Sequence, residues 1–177
     1  LSAGDYQLVQ VAEEDGERQV VTTIGGTAAM ESDMASGCDY NDYMVVTAEE
    51  DGPAITIANA GIYRVTYDVM RTELILYQIQ EASLIGGATP NGWGEDTPLT
   101  GSVDADGATW TLNDVVMRAG EYKVRFNCRW NLDRRIDPNA AMPFEDSNGY
   151  MFFTNFGGSP DNLETGGSNM IIDAPGS

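Results

Sequence analysis

The chain has 177 residues, enough for one large or two small domains with real cores, and its 42% apolar content is that of a globular protein. Nine Lys and Arg against 28 Asp and Glu give a net charge of −19, which argues against nucleic acid and anionic membranes as binding partners, because both demand a positive field. There is no histidine, so His-dependent catalytic triads and His zinc sites are excluded.

In chain order, nearly everything reads as strands and turns. "DYQLVQV" (5–11) and "RQVVTTI" (18–24) flank the turn "AEEDGE". "YMVVTA" (43–48) leads through a similar turn, "EEDGP", to "AITIA" (54–58). "IYRVTYDV" (62–69) and "ELILYQIQ" (73–80) flank a short hairpin turn. "ATWTLNDVVM" (108–117), "EYKVRFNC" (121–128), "GYMFFTNF" (149–156) and "NMIID" (169–173) follow. The runs are short, rich in Val, Ile, Tyr and Thr, and punctuated by Gly, Asp and Pro. No stretch holds a helical period, and no run approaches the length of a transmembrane helix. The expected class is all-β, a sandwich of antiparallel sheets.

An internal echo suggests two related modules. "AGDY" starts at Ala3, "AGIY" at Ala60, "AGEY" at Ala119 and the relative "APGS" at Ala174, at spacings of 57, 59 and 55 residues. "DGPAITIANAG" resembles "GGSNMIIDAPG". The reading is a module over residues 1–81, lacking its first strands, and a second over 82–177, lacking its closing hairpin. The chain starts without Met and is read as a processed form or an excerpt. "LSAG" at its start resembles a lipoprotein cleavage box, but Asp5 stands where the box needs Cys.

The cations are unevenly spread. Arg118, Lys123, Arg125, Arg129, Arg134 and Arg135 are six of the nine in the chain, and they surround Trp130. Strand alternation puts Lys123, Arg125, Asn127 and Arg129 on one face and Tyr122, Val124 and Phe126 on the core face. Trp130 then falls on the other parity unless a bulge intervenes. An indole stacks on the C–H face of a pyranose, and fixed donors bind its hydroxyls. Trp130 is therefore the leading sugar platform, with Arg129, Lys123 and Asn127 as polar partners; its alternative is a core indole. Trp93, in "PNGWGED", is a weaker platform or a structural wedge. Trp110 reads as core, and Tyr150 could flank a ligand. The clustered arginines could mark an acidic sugar, or could simply meet surface carboxylates in weak pairs.

Other chemistry is thinly supported. Cys38 and Cys128 could form a disulfide or stand as two buried thiols. "DADG" (104–107) opens like a calcium loop, but Val115 occupies the twelfth position where an EF-hand needs Glu. The acidic turns read as two solvated hairpin tips of one kind. Neither a metal nor a cofactor is expected. Paired carboxylates can hydrolyse glycosides, but Asp and Glu here sit mainly in turns, so an enzyme is not expected.

The second half resembles a known family. "LIGGATPNGWG" (84–94), "AGEYKVRFNCRWN" (119–131), "TNFGG" (154–158) and "GGSNMIIDAPG" (166–176) come in the order found in repeat domains of the SusE/SusF-type outer-membrane glycan-binding lipoproteins of Bacteroidetes. The resemblance covers residues 82–177 well and residues 1–81 only in part. It implies tandem immunoglobulin-like or carbohydrate-binding-module-like β-sandwiches that hold polysaccharide at the cell surface without cutting it. It also implies a lipid anchor on an upstream segment, and a TonB-dependent transporter with its partner lipoprotein as neighbours. The segment between "RWN" and "TNFGG" is long for the family and is expected to be an extended loop or an extra hairpin. The alternative function is a structural or accessory subunit of an outer-membrane assembly.

Overall fold

Short β-branched runs broken by Gly, Asp and Pro cannot extend a helix, and the chain folds as antiparallel sheets of β-sandwich type with no helix among the described residues. The computed structural model describes residues 1–32, 40, 42–104, 107–136, 139 and 149–176. Cys38 and most of the loop 137–148 lie outside them. The chain divides into two units, Leu1–Ser32 with Asp42–Ile79, and Gln80 onward.

In the first unit, β1 (Gly4–Tyr6) pairs with β5 (Ile55–Ile57). A five-stranded sheet runs β2-β3-β4-β7-β6, from β2 (Leu8–Glu14), β3 (Glu17–Ser32), β4 (Asp42–Glu50), β6 (Ile62–Asp68) and β7 (Glu73–Ile79). Val46, Ile55, Ile57, Leu74 and Leu76 form a buried core, flanked by Tyr6, Leu8, Met44, Tyr63 and Tyr67. Each such aliphatic side chain contributes about 1.5–3 kcal/mol by leaving water.

The two acidic turns differ in kind. Asp15 and Gly16 both have positive φ and close β2 onto β3 as a two-residue hairpin. "EEDGP" closes no hairpin; it docks on β3, with Gly26 N–H donating to Pro53 O at 2.8 Å and Asp51 N–H to Thr23 O at 2.8 Å. Gly25 makes this approach feasible, because a side chain there would strike the Pro53 and Gly52 carbonyls.

The second unit centres on β12 (Gly120–Phe126). β8 (Ala82–Ile85), followed by β9 (Thr97–Pro98), lies on one side. β15 (Asn155–Ser159), followed by β16 (Asn162–Thr165), and then β17 (Met170–Ile172) share the other. Two strand pairs complete the unit: β10 (Thr100–Asp104) with β11 (Gly107–Thr111), and β13 (Asn131–Arg135) with β14 (Gly149–Phe153). The two described ends of the extra segment thus pair as antiparallel strands. Phe126 packs against Phe156 and Trp110, at 5.2 and 5.7 Å between ring centroids, so Trp110 lies on the core face as expected.

The two units are built in one register. Gly4–Tyr6 pair with Ile57–Ile55 as Gly120–Tyr122 pair with Ile172–Met170. Leu8 and Val9 face Ile24 and Thr23 as Val124 and Arg125 face Phe156 and Asn155. Gly26 donates to Pro53 O at 2.8 Å, and Gly158 donates to Ser168 O at 2.7 Å. The echoes "AGDY" and "AGEY" therefore mark equivalent strands, whereas "AGIY" opens β6, which pairs with β7. The two units diverge at one place. In the first unit Gln10 and Val11 continue directly along β2 with a single bulge. In the second, Phe126 ends β12, pairing resumes at Asn131, and residues 127–130 make a detour that has no counterpart.

Candidate functional site

The detour explains which cations reach solvent. Asn127 and Cys128 both adopt left-handed φ, of 52° and 53°, so the alternation of β12 stops at Phe126. Asn127 and Arg129 consequently do not continue the Lys123–Arg125 row. Asn127 is fully buried, and its Oδ1 accepts from the backbone N–H groups of Gln80 and Glu81 at 2.8 and 3.0 Å. Arg129 is 1% exposed, and its carbonyl accepts from Thr154 Oγ1 at 2.7 Å. Both hold the fold together and neither presents donors to a surface ligand. Cys128 takes part in a disulfide.

Trp130 emerges from the detour at 40% exposure and meets Trp93, which is 43% exposed. Their ring centroids are 6.2 Å apart with the planes tilted by 32°. Trp93 stands on the loop after β8, which Gly86 folds tightly: Gly86 N–H donates to Gly92 O at 3.0 Å and Thr89 N–H to Gly86 O at 2.9 Å. The same loop brings Asp96 to β12. Arg125 donates through Nε and Nη2 to the two Asp96 carboxylate oxygens at 2.7 and 2.8 Å. Its guanidinium carbon lies 5.0 Å from the Trp130 ring centroid, a cation–π contact.

Lys123, one pleat along the same face, donates to Asn155 Oδ1 at 2.8 Å. Asn155 Nδ2 donates in turn to the Trp130 carbonyl at 2.6 Å. Trp93, Trp130, Arg125, Asp96, Lys123 and Asn155 thus form one shelf, with two open indoles edged by polar groups. Of the sequence-derived candidates, Trp130, Trp93 and Lys123 are gathered here. Asp96 and Asn155 were missed, and Arg125 was placed in the donor row but not named as a polar partner. Arg125 carried the signal of sharing a face with Lys123, and Asn155 that of lying in "TNFGG". Asp96 carried none, since only the fold of its loop brings it to Arg125. Among the described residues no group of His, Cys, Asp or Glu is arranged to hold a metal ion.

At the same register the first unit has no shelf. Val9 stands where Arg125 does, and Thr23 where Asn155 does. Gln7 replaces Lys123 and donates to Gly52 O at 2.7 Å. Comparison with protein-family models, curated proteins and solved structures finds no match to the chain.

Proposed function

We propose that the unit from Gln80 onward binds polysaccharide at a bacterial cell surface without cleaving it. Trp93 and Trp130 are the stacking platform, and Lys123, Asn155 and Asp96–Arg125 form its polar edge. The observation that carries this reading is the pair of neighbouring indoles, each two-fifths exposed, with the desolvated Arg125–Asp96 pair lying against Trp130. Large aromatic faces are normally buried, and two side by side at a surface fit the apolar faces of consecutive sugar rings. Asp96 supports binding over hydrolysis, because both its oxygens are held by Arg125. The resemblance to SusE/SusF-type proteins supports a lipid-anchored position beside a TonB-dependent transporter and its partner lipoprotein. The disulfide at Cys128 fits an oxidising, extracytoplasmic setting.

The test is affinity gel electrophoresis against neutral and acidic polysaccharides, with wild type, Trp93→Ala and Trp130→Ala. Retardation by a glycan that is lost in folded Trp variants establishes the function. Wild-type mobility unchanged by every glycan removes it. The first unit favours a second role for itself, as an accessory surface in an assembly. Its β2–β3 hairpin exposes Val9, Val11, Val20 and Val21, an apolar display suited to protein contact.

A further inference from the structure

We infer that the shelf takes an anionic sugar, whose carboxylate or sulfate group is received by the ammonium of Lys123. This rests on the glycan-binding reading above and names its substrate class.

The two cations of the shelf are in different electrostatic states. Arg125 is neutralised by Asp96 through two short hydrogen bonds. Lys123 is not. Its partner among the described residues is the amide oxygen of Asn155, which carries no charge. An ammonium has three donors, and one amide oxygen takes one of them. Glu121, the next residue on that face, directs its carboxylate to Asn169 Nδ2 at 2.9 Å. With 28 acidic residues against nine basic ones, a cation without a carboxylate partner is against the odds in this chain. This one is linked to Trp130 through Asn155, whose amide bridges the ammonium and the Trp130 carbonyl.

The first unit shows that folding does not require the charge. Gln7 fills the same position in the same register and turns inward to a backbone carbonyl. The lysine is therefore a feature of the shelf, and an oxyanion seated on it gains charge-assisted hydrogen bonds while its ring lies on the indoles. The overall charge of −19 repels polyanions, so adventitious attraction is disfavoured.

The test uses the full chain in affinity gels containing matched polymers. Alginate, polygalacturonate and hyaluronan are each run beside their carboxyl-reduced forms. Chondroitin sulfate and carrageenan are each run beside their desulfated forms. Lys123→Gln, which copies the first unit, and Trp130→Ala are run alongside, with circular dichroism as the fold check. The expected result is retardation by at least one anionic polymer, abolished when its charge is removed and weakened about tenfold or more by Lys123→Gln. Which removal abolishes it separates carboxylate from sulfate. Retardation by a neutral polymer, equal in Lys123→Gln and lost in Trp130→Ala, overturns the anionic assignment and leaves glycan binding standing. No retardation by any polymer overturns the binding function itself. Retardation that survives both substitutions overturns the shelf as its site.

Discussion

Asp96 and Arg125 form a two-pronged ion pair whose side chains are only 12% and 11% exposed. Removing one member of such a pair strands the other charge away from water. Asp96→Asn is expected to cost about 3 kcal/mol. It also releases the guanidinium that Asp96 holds against Trp130. Urea unfolding of the single variants and of Asp96→Leu with Arg125→Met checks this. The double variant is expected to regain most of the loss, because neither charge is left orphaned.

Asn127 separates a backbone role from a binding role. Its left-handed φ of 52° and its two accepted backbone hydrogen bonds are distinct contributions. Asn127→Ala loses both, at about 3 kcal/mol or more. Asn127→Gly restores the conformation and is expected to be about 1 kcal/mol less damaging than Ala. Glycan retardation of the folded Gly variant is expected to match wild type, and a loss of retardation would return Asn127 to the site.

Gly86 controls where Trp93 stands. It has a φ of 147°, and a side chain there would run into Tyr122 Cα and Glu121 O on β12. Gly86→Ala is expected to cost about 3 kcal/mol and to pull the Trp93 loop away from β12. The readout is the far-ultraviolet exciton couplet of the Trp93–Trp130 pair, which should collapse in the variant. A couplet of full strength would show that the loop is held by other means.

Asp68 gives the first unit a modest acid sensitivity. Burial alone raises its carboxyl, but the hydrogen bonds and charge of Arg71, with the Met70 N–H, bring it below the ordinary carboxylate value. A group lowered by folding contributes stability above its unfolded value and loses it as pH falls through its folded value. Asp68→Asn is therefore expected to cost at most about 1 kcal/mol at neutral pH. Wild type and variant are expected to converge as pH falls through the folded-state value and the carboxyl becomes protonated in both states. Denaturation followed from neutral into acid pH tests the sign.

Much of this fold is legible in the chain. Alternation in "EYKVRF" assigns Phe126 to the core and Lys123 with Arg125 to the opposite face, and the structure keeps both. Two of the three "AG-x-Y" copies, at Ala3 and Ala119, open strands that share a register in the two units, while the copy at Ala60 opens β6. Alternation fails where its physical basis fails. Once Asn127 and Cys128 turn left-handed, counting by twos no longer tracks a face, so Asn127 and Arg129 are misplaced. The shelf also needs a partner from far along the chain. Asp96 reaches Arg125 across 29 positions, and no local pattern encodes that meeting. "AEEDGE" and "AEEDGP" look alike, yet Gly16 takes a positive φ in a hairpin while the other turn docks on β3.

The four residues from Asn127 to Trp130 leave the ladder and return to it without shifting the pairing on either side. That makes the detour a graft point. Its terminal side chain can change while the buried Asn127 and Arg129 keep it anchored and the surrounding strands keep their partners. Recognition in this scaffold can therefore be rewritten at the one exposed position of the detour, Trp130, with the anchor left in place.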